Sequence, residues 1–294
     1  MAEVQTNISE NDILRSSPEL LRELLRDHTT GKNIFWATHD YEELGAEYSY
    51  HSPILPELIT GERGVVIRPR VLKSKEAQTG RSKEMAEVFT PSWICNAQNN
   101  LVDEALLSPQ DGKDWKDYVR TTCLEITCGE APYLVSRYDA TTGEAIPIDR
   151  RVGLIDRKLR MVSEHVDDSD EWQEWAQVAY RNTYGYEWQG DNLLIARDNL
   201  LLTFMDYYEE RWERRPEDKL LEQVANKIVW NIWQMDGLKD TVPLGKPYEE
   251  FKQMTLFDML GVEDESEDVP EAVPCRIFNW RSNASLKFMD IREM

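Results

Sequence analysis

The sequence predicts an α/β fold in which a parallel-sheet domain, residues 85–294, follows a mostly helical and extended N-terminal region, residues 1–84. Two observations carry this expectation. From about Glu87 onward, short β-like runs alternate with segments of helical periodicity, and several of those runs end on an acidic residue. The chain of 294 residues is also long enough to bury one large α/β core with extensions.

In the N-terminal region, Ser16-Ser17-Pro18-Glu19 opens a helix with a hydroxyl cap, proline in the first turn and an early acid. Leu20, Leu21, Leu24 and Leu25 repeat at helical spacing, and Gly31 marks the exit. Packing of this helix on its own domain is the expectation. Residues 64–72, GVVIRPRVL, read as a short β-like run, and residues 73–84 as an exposed polar loop. Ser92 caps the next helix, whose apolar positions are Trp93, Ile94, Ala97, Leu101 and Ala105. Residues 121–126, 152–155, 183–187 and 227–235 are read as successive strands, with a long helix from about Asn192 to Trp212 after the third. The acidic run at residues 263–268 reads as a linker, and residues 275–280 as a last β-like piece.

Composition limits the function. No tract approaches the roughly 18 apolar residues of a membrane span, and the N-terminus lacks a secretory pattern, so a cytoplasmic protein with no membrane partner is expected. The four cysteines and four histidines show no zinc-ligand spacing, and no metal is expected. A net charge of −21, from 34 basic and 55 acidic residues, opposes DNA binding by the chain alone. The exception is the stretch holding Arg63, Arg68, Arg70, Lys73, Lys75, Arg81 and Lys83, which is read first as a solvated loop.

Three strand ends carry candidate chemistry. Glu125 closes the run at 121–126 and is followed by the turn Cys128-Gly129. A strand-end carboxylate there can take a cationic ammonium while the backbone N–H groups of the turn, and of a helix after it, approach the ligand. Glu187 closes the run at 183–187, where a carboxylate can accept hydrogen bonds from ribose hydroxyls. Asp156, after residues 152–155, has the same strand-then-acid form.

The strings EVFTPSWICNAQNN, CLEITCGEAPYLVSRYD and YGYEWQGDNLLIARDNLL resemble the adenine-specific DNA methyltransferases of restriction-modification systems, in particular restriction endonuclease subunit M. The resemblance implies a Rossmann-like fold that binds S-adenosylmethionine. It places Phe89, Thr90 and Pro91 over the methionine end of the cofactor, and Glu125, Cys128, Gly129 and Tyr133, with Leu134, in the cofactor loop. It gives the ribose to Glu187 and the adenine amino group to Asp236. Glu187 is preferred to Asp156 because the Asp191-Asn192 cap and the Arg197 helix match as well. The loop's second glycine is replaced by Ala131, followed by Pro132. If that position needs positive φ, alanine costs on the order of 1 kcal/mol.

The same family uses an Asn or Asp followed by Pro-Pro-Tyr or Pro-Pro-Phe to hold the target amino group. This chain has no Pro-Pro pair, Gly245-Lys246-Pro247-Tyr248 reads as a turn, and no catalytic residue is assigned. Asn279 before Trp280 is one substitute acceptor, with the indole as a stacking platform. The resemblance implies DNA as partner, bound with the help of another subunit, and a restriction or specificity subunit beside it. Two accounts stay open: the cofactor half of a split or truncated enzyme, or a pseudo-methyltransferase. A catalytically inactive acidic docking protein or DNA mimic is the alternative from another class. The Pro274-Cys275 pair resembles the nucleophile dipeptide of cytosine-C5 methyltransferases, but Cys275 reads as a buried strand residue.

Overall fold

The computed structural model describes residues 17–75, 78–79, 90–106, 114–243 and 272–292. Phe89, Arg81, Lys83, the turn at 245–248 and the acidic run at 263–268 lie outside them. The helices are α1 Pro18–Leu24, α2 Pro56–Ile59, α3 Ser92–Leu106, α4 Trp115–Arg120, α5 Leu154–His165, α6 Ser169–Arg181, α7 Gly190–Trp212, α8 Asp218–Asn231 and α9 Phe288–Arg292. The strands are β1 Cys123–Glu125, β2 Thr183–Glu187, β3 Ile232–Gln234, β4 Arg276–Asn279 and β5 Ala284–Lys287. It is a mixed fold in which β1, β2 and β3 form a small parallel sheet in that order, with β2 central. An antiparallel hairpin, β4 and β5, stands beside it. No helix among the described residues is long and apolar enough to cross a membrane.

Helix α7 runs through the centre of the molecule. Leu193, Leu194, Ile195, Ala196, Leu200, Leu201 and Phe204 are all buried, so apolar residues on more than one side of the helix meet neighbours. Leu20, Leu21, Leu24 and Leu25 of the N-terminal segment join the same core, together with Ile34, Trp36 and Ile54. Arg197 makes this union specific. Its guanidinium is fully buried and donates to the carbonyls of Leu24, Arg26, Val229 and Ile232, at 2.6 to 3.4 Å. Burial lowers its pKa to about 10, against the pull of Asp27 and Glu23.

The structure corrects several sequence expectations. Residues 152–155 are not a strand: Gly153 is the N-cap of α5, and Asp156 sits fully buried in its first turn. Asp156 accepts from Ser136 N at 2.9 Å, Ser136 Oγ at 3.1 Å and Gly153 N at 3.1 Å, so it is an internal anchor. Residues 227–231 belong to α8, and the strand begins only at Ile232. Residues 64–72 form turns and a 3-10 helix at Arg70–Leu72 instead of a β run. Helix α1 ends at Leu24, well before Gly31. Helix α3 turns Cys95 and Asn99 inward and leaves Trp93 69% and Leu101 65% exposed, because its inward face is fixed by polar contacts. Asn99 Nδ2 donates to the carbonyls of Tyr133 and Val152, and Asn96 and Asn100 receive Arg157.

Candidate functional site at the carboxyl end of the sheet

The parallel register sets Glu125 level with Gly185, and Glu187 level with Gln234. Side chains alternate along a strand, so Glu125, Gly185, Glu187 and Gln234 share one face near the strand ends. Between β1 and residue 131 the chain takes three left-handed residues, Thr127 at φ 46°, Gly129 at 55° and Ala131 at 63°. The positive φ that the Ala131 substitution puts in question is therefore present, and alanine carries it. No helix follows the turn. Residues 132–134 form a further turn and the next helical elements are a 3-10 helix at Ile148–Arg150 and then α5, so the expected helix N-terminus is missing from this loop.

The strand-end acids hold this turn in place. Glu187 Oε2 accepts from Gly129 N at 2.8 Å and its Oε1 from Gln189 N at 3.2 Å. Glu125 accepts from Tyr133 N at 3.3 Å and Leu134 N at 3.2 Å. Cys128 N donates to Tyr186 O at 2.8 Å, which ties the turn to β2. Burial lifts the Glu125 carboxyl to about 8; its two backbone hydrogen bonds oppose the shift and the nearby Glu187 adds to it. Burial, with Glu125 and Glu187 close by, also drives the Cys128 thiol well up. Cys128 is thus a small apolar filler here, its Sγ facing Gly185 across the sheet.

Two further segments converge on this end. Thr90 and Pro91 open α3: the Pro91 carbonyl accepts from Ile94 N and Cys95 N, and the Thr90 carbonyl takes the Cys95 thiol at 3.8 Å. Asn99 Nδ2 of the same helix donates to the Tyr133 carbonyl at 3.0 Å, which sets α3 against the Glu125 loop, and burial, followed by the charges of Glu125 and Asp139, raises Cys95 to about 12. On the other side, Met235 N donates to Glu187 O at 2.9 Å and leads into Asp236. Asp236 is buried and closes its own turn, accepting from Leu238 N at 2.9 Å with Lys239 Nζ at 3.4 Å. Gly237 is required there, because a Cβ would lie 2.6 Å from the Tyr186 ring.

No family model, curated protein or solved structure matches the chain.

Hydrogen bonds thus join Glu125 to Tyr133 and Leu134, and Glu187 to Gly129, while Thr90 and Pro91 start the helix that packs on this loop and Asp236 follows β3 with its side chain turned to its own turn. The structure also adds residues that the sequence reading did not single out. Gln234 accepts from Phe35 N at 3.0 Å and donates to the carbonyls of Phe35 and Trp188, both at 2.8 Å, which fastens the N-terminal segment to β3. Gln189, not the Asp191-Asn192 pair, is the N-cap of α7. Asp191 is fully buried and accepts from Tyr41 Oη at 2.7 Å and Lys73 Nζ at 2.8 Å. Lys73 is thus spent on an internal ion pair, and Arg70 donates to the Gln78 carbonyl, so the basic stretch is partly structural. Asp139 anchors the start of α3, accepting Ser92 N at 2.7 Å and Ser92 Oγ at 2.6 Å. Burial would raise Asp139, but the bonds from Ser92 and Thr141 outweigh it and hold the carboxyl well below the usual range.

The substitute acceptor Asn279 is in the wrong place. Its Oδ1 caps the β4–β5 turn, accepting from Arg281 N and Ser282 N, both at 3.0 Å. The indole of Trp280 donates to Asn231 Oδ1 at 2.8 Å, and Asn231 immediately precedes β3. Asn279 and Trp280 therefore stand near the amino ends of the strands, while Glu187 and Asp236 stand at the carboxyl ends. Cys275 is buried just ahead of β4, with its thiol driven well up by burial and by Asp27 and Asp240, which is unlike an activated nucleophile.

Proposed function

We propose that the chain binds S-adenosylmethionine across the carboxyl ends of β1, β2 and β3, as a Rossmann-like, DNA adenine-N6 methyltransferase-like modification subunit. One observation carries the reading. Two neighbouring parallel strands each end on a carboxylate, and both carboxylates meet the same left-handed turn, through Glu187 to Gly129 and Glu125 to Tyr133. Ligands of open parallel sheets settle in this crevice outside the carboxyl ends.

The acceptor set suits the cofactor. Glu125 would meet the methionine ammonium, Glu187 the ribose hydroxyls and Asp236 the adenine amino group, with Thr90 and Pro91 along the methionine end. A carboxylate has about four acceptor directions, and the two N–H donors recorded for Glu125 account for two of them. The cofactor would supply an electrophilic methyl group. The chain's residues bind and orient it, and no described residue holds the amino group of a base beside it. DNA recognition, by this reading, falls to another subunit, consistent with the charge of −21.

Calorimetric titration with S-adenosylmethionine tests the reading. The wild-type chain should bind, and Glu187→Gln should bind about 30- to 100-fold more weakly, the equivalent of about 2–3 kcal/mol of lost charge-assisted hydrogen bonding. Affinity should climb as pH rises from 6 to about 8, because Glu125 must shed its proton before it can pair with an ammonium. Absence of cofactor binding by the folded wild-type chain refutes the proposal.

A further inference from the structure

A groove of about 440 Å³ lies between the β4–β5 hairpin and the face of the sheet opposite Glu125 and Glu187. Its lining includes Arg181, Tyr184, Phe278, Trp280 and Arg281. Arg181 closes α6 just before β2, and Arg281 sits in the hairpin turn, so the groove opens at the amino ends of the strands. The four-residue advance from Thr183 to Glu187 separates the two ends by about 13 Å at roughly 3.3 Å per residue. This groove is distinct from the proposed cofactor site.

In a chain with 55 acidic residues, the two charged side chains in the lining of the groove are both cations, Arg181 and Arg281, and a third, Lys227, lies beside the Trp280 ring. Lys227 Nζ lies 5.6 Å from the Trp280 ring centroid and donates only to the Gln223 carbonyl, at 2.9 Å. Among the described residues, none of the three forms an ion pair, and Arg181 Nε is buried without a hydrogen-bond partner. Burial first, and then the charge of Arg181, lowers Lys227 to about 8, so Arg181 and Lys227 are close enough to repel each other. An anion between them would relieve that repulsion.

The aromatic wall is fixed in position. Phe278 and Trp280 pack with centroids 4.6 Å apart, Trp230 backs Phe278 at 5.2 Å, and Asn231 pins the indole N–H. Tyr184, Phe278 and Trp280 each keep part of their surface exposed. A preordered aromatic surface beside unpaired guanidinium groups matches a planar base carrying a phosphate: stacking holds the base and arginine holds the phosphate. The volume lies within the range of small-ligand sites.

We propose that this groove is a nucleotide-binding site, with the base against Phe278 and Trp280 and the phosphate between Arg181 and Arg281. The inference stands independently of the cofactor reading, since it uses none of the same residues. The test is calorimetric titration of the full chain with adenosine monophosphate and, separately, with a single-stranded DNA of about a dozen nucleotides. S-adenosylmethionine is titrated in parallel. Both Arg181→Gln and the exposed-turn variant Arg281→Glu should weaken the groove ligand about tenfold or more and leave S-adenosylmethionine affinity unchanged. Equal affinity per nucleotide for both probes identifies a free nucleotide as the ligand, and markedly tighter oligonucleotide binding identifies an unpaired strand. The proposal is overturned if neither probe shows saturable binding up to about 1 mM. It is equally overturned if a folded Arg281→Glu chain, checked by circular dichroism, binds both as the wild type does.

Discussion

Replacing Glu125 by glutamine should make the protein less dependent on pH, and the sign and size follow from the site. In the folded chain the carboxyl is lifted from 4.5 to about 8, by burial first and by Glu187 in addition. Below pH 4.5 the group is protonated in both folded and unfolded chains, and stability is unaffected. Between pH 4.5 and 8 the unfolded chain has released the proton while the folded chain retains it, so stability falls as pH rises. At 1.36 kcal/mol per tenfold, the full shift corresponds to a loss of about 5 kcal/mol at pH 8 and above, an upper bound for one group. Glutamine cannot ionise and escapes this loss. It keeps one of the two acceptors that face Tyr133 N and Leu134 N, at a cost of about 1 kcal/mol. The variant should therefore be slightly less stable than wild type near pH 4.5 and more stable by about 3–4 kcal/mol at pH 8. Urea unfolding followed by far-UV circular dichroism at three pH values, taken as the difference between the two proteins, removes the contribution of all other titrating groups. A difference that does not change between pH 5 and 8, or that favours wild type at pH 8, refutes the burial argument.

Two further outcomes follow from packing. Lys73→Met should cost about 3 kcal/mol, because it leaves the fully buried Asp191 without its cation; a midpoint in urea within error of wild type would show the pair to be dispensable. Of the four thiols, Cys95, Cys128 and Cys275 are buried and shifted upward, so Ellman's reagent should label Cys123 first in the native state and all four after unfolding. Fast labelling of more than one equivalent in the folded chain contradicts the burial described.

The parts of the fold legible in the sequence were those where local pattern and tertiary context agree. Strand β2 coincides with residues 183–187, β1 lies inside 121–126, and α7 begins within two residues of the expected start. The inward packing of Leu20, Leu21, Leu24 and Leu25 was likewise readable from their spacing. At 227–231 the β-branched pair Ile228 and Val229 suggested a strand, but helix α8 already runs from Asp218 and buries Leu220, Leu221, Val224, Ala225 and Ile228 on one face. The helical period over fourteen residues outweighs a short β-favouring run. Helix α6 carried an equally readable signal, an Asp168 cap followed by Trp172, Trp175, Ala176, Ala179 and Tyr180, and it separates β1 from β2. At the candidate site, the strand-end acids could be found from sequence because each follows a short apolar run. What they touch was less legible: Gly129 reaches Glu187 across 58 residues and Tyr133 reaches Glu125 across a turn of left-handed residues, and only the Gln189 contact to Glu187 is local. The anchors Gln234, Asp139 and Lys73 carry no local signature for the same reason: their partners lie 199, 47 and 118 residues away.

The guanidinium of Arg197 bears on how this protein can be cut or built. Two of its acceptors, the carbonyls of Leu24 and Arg26, come from a segment more than 170 residues earlier in the chain. A fragment beginning after that segment would keep a fully buried cation and lose the oxygens that solvate it, along with the leucines that seal it from water. The N-terminal stretch therefore behaves as the last wall of the interior and not as a detachable leader. An expression fragment starting near residue 85 should be insoluble, and adding residues 17–75 back as a separate peptide, which also restores Ile54 and the Lys73 partner of Asp191, should rescue it by complementation.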